Sequence, residues 1–196
     1  PSSGPQTHPW KIAGSREGLA LCSRLHDGSG LKEFKSSGLI NAAPEAVYAL
    51  LNDAAEYPKF MPYTAEVRIL QTTDNSVTAY HRLSLPLVDD RDYILRSIHS
   101  VTQSPAGPVY HISWKPAHGI GPSPKPGIQR VTTCDGSWLL EPTADGKTKA
   151  TYDVYSDTGG AIPAFLANGG SRTAIRKVFA AIRKEALNPK YAGVKS

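Results

Sequence analysis

Two cysteines, Cys22 and Cys134, are all that 196 residues contain, which excludes a disulfide-stapled scaffold. No apolar run reaches the roughly 18 residues that a membrane-spanning helix needs. A Gly-x-Ser-x-Gly nucleophile elbow is missing, and this disfavours an α/β-hydrolase. Neither a His-x-x-x-His nor a Cys-x-x-Cys pair occurs, so the sequence supplies no metal site. Gly146-Lys147-Thr148 has the tail of a phosphate loop, but Glu141 stands where that loop requires glycine, and the segment reads as a hairpin turn. Asp89-Asp90-Arg91-Asp92 lacks the Gly and Glu of a calcium loop; its simpler reading is a salt-bridge cluster at the start of a strand. Acidic residues are in deficit, with 17 Asp and Glu against 22 Lys and Arg and a net charge of +5. That balance favours acidic partners, meaning anionic lipid or nucleic acid. Nucleic acid is the poorer fit, because aromatics are not interleaved with the basic residues and no recognised binding motif accompanies them.

What remains is globular material, 40% hydrophobic and 20% charged, of a length that folds as one domain and buries about 70% of its unfolded surface. Residues 1–9, rich in Pro, Ser, Gly and Thr, read as a flexible lead-in, and residues 10–190 as the domain. Cys22 and Cys134 pair only if their strands are neighbours; two buried thiols is the simpler reading.

Residues 19–25 and 31–40 are strands around a Gly-rich hairpin loop, His26-Asp27-Gly28-Ser29-Gly30. Pro44 opens a helix over 44–52, with Val47, Leu50 and Leu51 at helical spacing. Residues 57–62 form a Pro-bounded turn. A long antiparallel run follows: strands near 65–69, 77–85, 91–101, 109–115, 128–133, 137–141 and 149–156, with turns at Cys134-Asp135-Gly136 and Ala144-Asp145-Gly146. Residues 116–127, with four Pro and three Gly, are too long for a hairpin and read as an Ω-type loop. The chain ends in a helix over 162–187 whose apolar stripe is Ile175, Val178, Phe179, Ile182 and Ala186. Arg172, Arg176, Lys177, Arg183 and Lys184 occupy its other faces, and Ile162, Phe165 and Leu166 make a separate apolar cluster. Gly169-Gly170 predicts a kink or break, since each glycine costs a helix about 1 kcal/mol against Ala.

The fold class is therefore α+β, with helices on one face of a curved antiparallel sheet. One long amphipathic helix does not fill such a sheet evenly, and the space left over is where a ligand sits. The Pro/Gly loop beside a Gly-interrupted helix is suited to act as a lid.

At Leu85-Pro86-Leu87-Val88-Asp89-Asp90-Arg91-Asp92-Tyr93 the chain resembles a START domain, the steroidogenic-acute-regulatory-related lipid-transfer module of the helix-grip superfamily. The family's Pro-rich turn and Arg-Asp-aromatic motif are matched there, with one extra residue ahead of Arg91. Gly127-Ile128-Gln129-Arg130-Val131 is similar to the strand after the family's Ω loop. Asp157 to Asn168 is similar to its Gly-Gly-x-Ile-Pro-x-x-Leu-x-Asn lead into the last helix. The likeness covers about residues 10 to 187. Glu56-Tyr57-Pro58-Lys59-Phe60-Met61-Pro62 also resembles the ubiquinone-binding and polyketide-cyclase-like branch. The resemblance implies a helix-grip fold, in which a curved sheet wraps a long C-terminal helix around an internal hydrophobic cavity. It implies one lipid or similar hydrophobic molecule bound there without catalysis, no cofactor and no metal. It also points to export in bacteria, to the periplasm or beyond, with the cytoplasm as the alternative, since no residue fixes the compartment; a monomer is expected.

Alternation assigns the faces, and one wrong parity flips a whole strand. Val77, Ala79, Leu83 and Leu85 make an apolar face on which His81 is the inward polar group. The resemblance places a polar cavity residue six positions after Arg91, at Ser97; Tyr93, Leu95 and His99 share its parity. Family members often carry a charged pair at the two facing polar positions. Here His81 stands with Ser97 or His99, which suits a sterol, quinone or other weakly polar head better than a phosphate. Burial keeps such a histidine neutral. Tyr110, Ile112, Trp114, Trp138, Tyr152, Phe165 and Leu166 complete the candidate lining, with ordinary core packing as the competing reading. The basic faces of the last helix suit transient contact with an anionic membrane surface, or plain solvation. Three functions remain open: a lipid carrier or sensor, a cyclase-like enzyme using His81 or His99 as general base, and a quinone-binding chaperone.

Overall fold

The structure is a computed structural model and describes residues 8–159 and 164–192. Strands β1 (Lys11–Arg16), β2 (Leu19–Leu25) and β3 (Lys32–Ile40) lead into helix α1 (Pro44–Asn52), a 3-10 turn (Ala54–Glu56) and the short helix α2 (Tyr57–Phe60). Strands β4 (Thr64–Thr73), β5 (Ser76–Leu83), β6 (Asp90–Ser104), β7 (Gly107–Pro116), β8 (Ile128–Arg130), β9 (Thr133–Pro142) and β10 (Thr148–Asp157) follow, and helices α3 (Ala164–Glu185) and α4 (Pro189–Ala192) close the described chain. The strands form a single sheet in the order β1-β2-β3-β10-β9-β7-β6-β5-β4, with β8 paired in parallel to β6. All other ladders are antiparallel. This is the helix-grip arrangement.

Hairpin chemistry sets the local geometry. Gly28 takes the left-handed conformation, φ 75°, while the amide of His26 donates to the Leu31 carbonyl at 3.0 Å. Pro44 occupies the first turn of α1, where a missing N–H costs nothing. The buried stripe Val47, Leu50 and Leu51 turns α1 onto the sheet. Ile175, Phe179, Ile182 and Ala186 do the same for α3, meeting Leu21, Phe34, Ile112, Trp138 and Leu140 in one core. Fully burying Phe179 or Ile182 stabilises the fold by about 1.5–3 kcal/mol each. The sheet face beneath α1 and α3 is its inner face. Tyr191 of α4 is buried and donates its hydroxyl to Asp53 at 3.1 Å, beside a Lys190–Asp53 ion pair, so α4 is latched to the end of α1.

The structure corrects several sequence expectations. Strand β1 forms where the sequence predicts no element, and four of the six residues of the expected 57–62 turn form α2. Helix α3 passes unbroken through Gly169-Gly170; Asn168 sits just before them and fastens the helix, accepting from the Lys32 amide at 2.9 Å and donating to the Gly30 carbonyl at 3.3 Å. The turn expected at Cys134-Asp135-Gly136 is continuous β9. Glycine is there for space: a Cβ at Gly136 would intrude on the Trp114 ring and stand 2.5 Å from the Asp153 carbonyl oxygen. Gly136→Ala is expected to cost about 1–3 kcal/mol of stability by overpacking, read by chemical denaturation; an unchanged midpoint would contradict the tight Trp114 contact.

The long loop is not a lid. Residues 116–127 pack on the outer face, where the space beside Gly121 is filled by Ile94 and Leu70, and the Ala117 amide donates to the Ile94 carbonyl at 2.8 Å. The acidic cluster is the salt-bridge network expected of it. Asp92, 1% exposed, takes a fork of bonds from Arg130, Nε to Oδ1 at 2.6 Å and Nη2 to Oδ2 at 3.0 Å, and Arg130 also reaches the Pro122 carbonyl at 3.0 Å. Arg82 pairs with Asp90 at 2.7 Å. Both cysteines are free. Strands β3 and β10 separate their strands, and Cys22 is half-buried rather than buried.

Candidate ligand site

Residues directly opposed across a ladder share a face. His81 opposes Tyr93, Ala79 opposes Leu95 and Val77 opposes Ser97. Ser97 in turn opposes Trp114, His99 opposes Ile112 and Val101 opposes Tyr110. Ile112 then opposes Trp138 and Tyr110 opposes Leu140, and Trp138 opposes Tyr152. The sequence parity therefore places His81, Leu83, Tyr93, Leu95, Ser97, His99, Tyr110, Ile112, Trp114, Trp138 and Tyr152 on one face, the inner one. Ile162 and the side chains of Phe165 and Leu166 lie outside the described residues.

These residues divide in two. Tyr110, Ile112 and Trp138 belong to the closed core, with the Trp138 ring 5.2 Å from Phe179 and Tyr110 stacked on Tyr48 at 4.4 Å. His99 meets Tyr48 edge-on at 5.9 Å. Both its ring nitrogens are buried without a partner, and burial lowers its pKa. Desolvating a charged imidazole is costly, which keeps it neutral.

The second group surrounds Tyr93. Desolvation pushes the phenols of Tyr57, Tyr93 and Tyr152 well up, so all three lie far from bulk water. Yet all three are only half-buried by surface area. Protein interiors close-pack, so side chains that are remote from water and still uncovered line a hollow. Charge repulsion from Cys134 raises Tyr93 and Tyr152 further, which gathers these groups around one space. His81 stacks on Tyr93 at 5.0 Å and lies 6.3 Å from the Tyr57 ring. Desolvation lowers its pKa to about 4, so it is a neutral imidazole at pH 7. Trp114 closes one side, 5.7 Å from Tyr152, and Leu95, Val131 and Cys134 pack behind it. Burial takes the Cys134 thiol up to about 11, against hydrogen bonds from Ser156 and Trp114, so it is a thiol and not a nucleophilic thiolate.

Among the described residues the hydroxyls of Tyr93 and Tyr152 and the imidazole of His81 have no hydrogen-bond partner, whereas Tyr57 donates to the Leu51 carbonyl at 2.6 Å. Buried polar groups normally find partners. Donors left open in an aromatic hollow are suited to a guest that accepts hydrogen bonds. Sequence reasoning missed Tyr57 and Cys134, both on stretches read as turns. It also missed Arg91, which opposes Leu83; Arg91 is buried, donates to the Asp89 carbonyl and leaves Nε unpartnered. The exposed basic face of α3 is smaller than expected. Lys177 donates to the Tyr63 hydroxyl at 2.6 Å, and Arg183 holds the carbonyls of Leu39, Glu17 and Gly18 at 2.9, 2.8 and 3.3 Å.

Comparison with known proteins agrees with this architecture. The profile of the family described as polyketide cyclase / dehydrase and lipid transport matches residues 40–115. An uncharacterized protein of Pseudomonas aeruginosa is 30% identical over 162 residues, covering 81% of this chain and 77% of the relative. The crystal structure of a STAR-related lipid transfer protein from Xanthomonas axonopodis superposes with a TM-score of 0.81 at 27% identity, covering 90% of this chain and 98% of that one. An aromatase/cyclase from Streptomyces shares the fold at a TM-score of 0.55 and 15% identity, over 84% of this chain and 98% of that one.

Proposed function

Because the chain belongs to the START (STAR-related lipid transfer) family within the helix-grip superfamily, we propose that it carries or senses one hydrophobic small molecule without transforming it, with a weakly polar head seated against Tyr93, Tyr152 and His81. The observation that carries this reading is the set of unpartnered phenols and neutral imidazole deep in an aromatic interior. Aromatic area supplies most of the affinity, at about 25 cal/mol per Å² buried, less the freedom lost on binding. The open hydroxyls select a head with an acceptor oxygen: a ketone, ester, quinone or alcohol. Transient contact with an anionic membrane fits a carrier. Leu87 supports it, as a fully exposed leucine with φ 68° at the tip of the β5–β6 loop, because water-facing apolar side chains on a strained turn gain by entering a lipid interface.

Native mass spectrometry and organic extraction of the purified protein test the reading. One stoichiometric hydrophobic molecule is the expected result, and absorbance of the extract identifies a quinone. Tyr93→Phe is expected to weaken its binding about three- to tenfold, the worth of one neutral hydrogen bond, with the fold unchanged. Repeated recovery of protein with no guest, and no uptake of added lipid, overturns the carrier.

A second reading is favoured by one observation. The His81 imidazole is neutral at pH 7 and has no hydrogen-bond partner among the described residues, so its ring nitrogen is open to take a proton from a polyketide-like substrate, as a weaker base than an ordinary histidine. Turnover of such a substrate that disappears in His81→Ala selects the enzyme; a carrier shows none in either protein.

A further inference from the structure

A second space lies apart from the aromatic hollow. A cleft of about 440 Å³ opens between β1, β2 and the first half of α3, and its walls include Lys11, Ile12, Ala13, Leu25, Lys32 and Arg172. None of His81, Tyr93 or Tyr152 lines it. Its volume falls within the roughly 300–1,000 Å³ typical of small-molecule pockets.

The chemistry of its walls is two-sided. Leu25, 42% exposed, and the exposed Pro9 leave apolar surface open at the cleft, with Ala13 packed on the core beside them; Ile12 opposes Cys22 and turns its side chain to the other face of β1. Lys11, Lys32 and Arg172 bring three cations to the same rim, and among the described residues none of them has an ion pair. Arg24 and His8, also in the lining, differ: Arg24 is held by Glu33 at 2.6 Å and by the Trp10 ring at 4.6 Å, and His8 lies 3.8 Å from Asp27. Like charges converging on one apolar cleft without a counter-ion repel each other, and an anion between them relieves that repulsion. A free inorganic anion would leave Pro9 and Leu25 uncovered; a neutral lipid would leave the cations uncompensated.

We propose that this cleft is a second binding site, specific for a single-chain anionic amphiphile whose carboxylate meets Lys11, Lys32 and Arg172 while its hydrocarbon tail covers Pro9, Ala13 and Leu25. The site is independent of the interior one, and either can fail without the other.

The test uses the full chain stripped of co-purified lipid and three probes: decanoate, decanol and acetate. Decanoate is expected to bind, moving the backbone amide NMR signals of Ile12, Ala13 and Leu25, with an affinity that falls as salt rises. Lys11→Gln, Lys32→Gln and Arg172→Gln should each weaken it about fivefold, about 1 kcal/mol per cation, while folding is checked by circular dichroism. Decanol should bind the cleft more weakly and with no response to these substitutions, and acetate should not bind measurably. Equal affinity for decanoate and decanol overturns the proposal, as does acetate binding as tightly as decanoate. Shifts confined to the neighbourhood of Tyr93 and Tyr152 also overturn it, while leaving the interior site standing.

Discussion

Asp92→Ala is expected to lower unfolding stability by about 3 kcal/mol, the low end of what breaking a buried ion pair costs. The low end applies because Arg130 keeps 19% of its side chain exposed whereas Asp92 keeps 1%, so water partly solvates the orphaned guanidinium. The carboxylate is acceptor-only and receives both arms of the Arg130 fork, a geometry stronger than two neutral bonds. Its loss affects more than one contact. Arg130 ties β8 to β6 and also holds the outer loop through the Pro122 carbonyl. Tyr93, the next residue along β6, faces the hollow from the opposite side of the strand. Urea denaturation reads the stability directly under two-state behaviour. The double variant Asp92→Leu/Arg130→Met should recover much of the loss, because replacing both charges removes the desolvation cost along with the attraction. If Asp92→Ala unfolds at the wild-type midpoint, the pair is ornamental and the Arg-Asp-aromatic motif needs another explanation.

That motif illustrates what the sequence made legible. Alternation placed His81, Tyr93, Ser97 and Trp114 on one face, because a strand buried on one side has no freedom to slip by a residue, and the ladders obey it. Helix α1 and the apolar stripe of α3 were readable for the same reason at a different period. The misreadings share a cause as well. Gly136 and Gly169-Gly170 read as chain punctuation in the sequence, yet Gly136 is a matter of space beside Trp114 and α3 runs unbroken through the pair. Propensity near 1 kcal/mol per residue yields to the tertiary contacts of a helix fixed at Asn168 and at its buried stripe. Which face of the sheet a loop covers is not encoded in its composition, so residues 116–127 read as a lid and lie on the outside.

The division of the inner face was equally hidden. The second half of α3 presses onto the sheet through Phe179 and Ile182, both fully buried, and the Trp138 ring belongs to that closed region. Had the whole helix packed so tightly, no room for a guest would remain. The uncovered phenols adjoin this region, between α2, β5, β6 and β10, with Tyr152 touching the Trp138 ring at 4.5 Å. Periodicity reports the face on which a residue stands. It does not report whether the facing element comes close enough to touch it, and that distance separates core from cavity.

The depth of that cavity makes a pH dependence measurable. In the unfolded chain His81 titrates near 6.5, and in the fold desolvation lowers it to about 4. Between those values the unfolded state binds a proton that the folded state refuses, so stability rises with pH across this window. The contribution is fully present above about 6.5 and is lost as pH falls through about 4. At 1.36 kcal/mol per pH unit the whole span amounts to about 3 kcal/mol. His99, lowered by the same cause, adds loss of the same sign. Acid also protonates carboxylates, so wild type alone does not isolate the effect. Phe at position 81 keeps a ring of similar size against Tyr93 and removes the titration. Denaturation of lipid-free protein at pH 7 and pH 4.5 should show wild type losing about 2–3 kcal/mol more than His81→Phe, with the two near parity at pH 7. Because Tyr57 and Tyr93, the rings that face His81, carry no charge in this range, no neighbour compensates the imidazolium. Parallel losses in the two proteins would mean that His81 already meets water, and a hollow open to solvent at that point is not one in which a greasy guest is held.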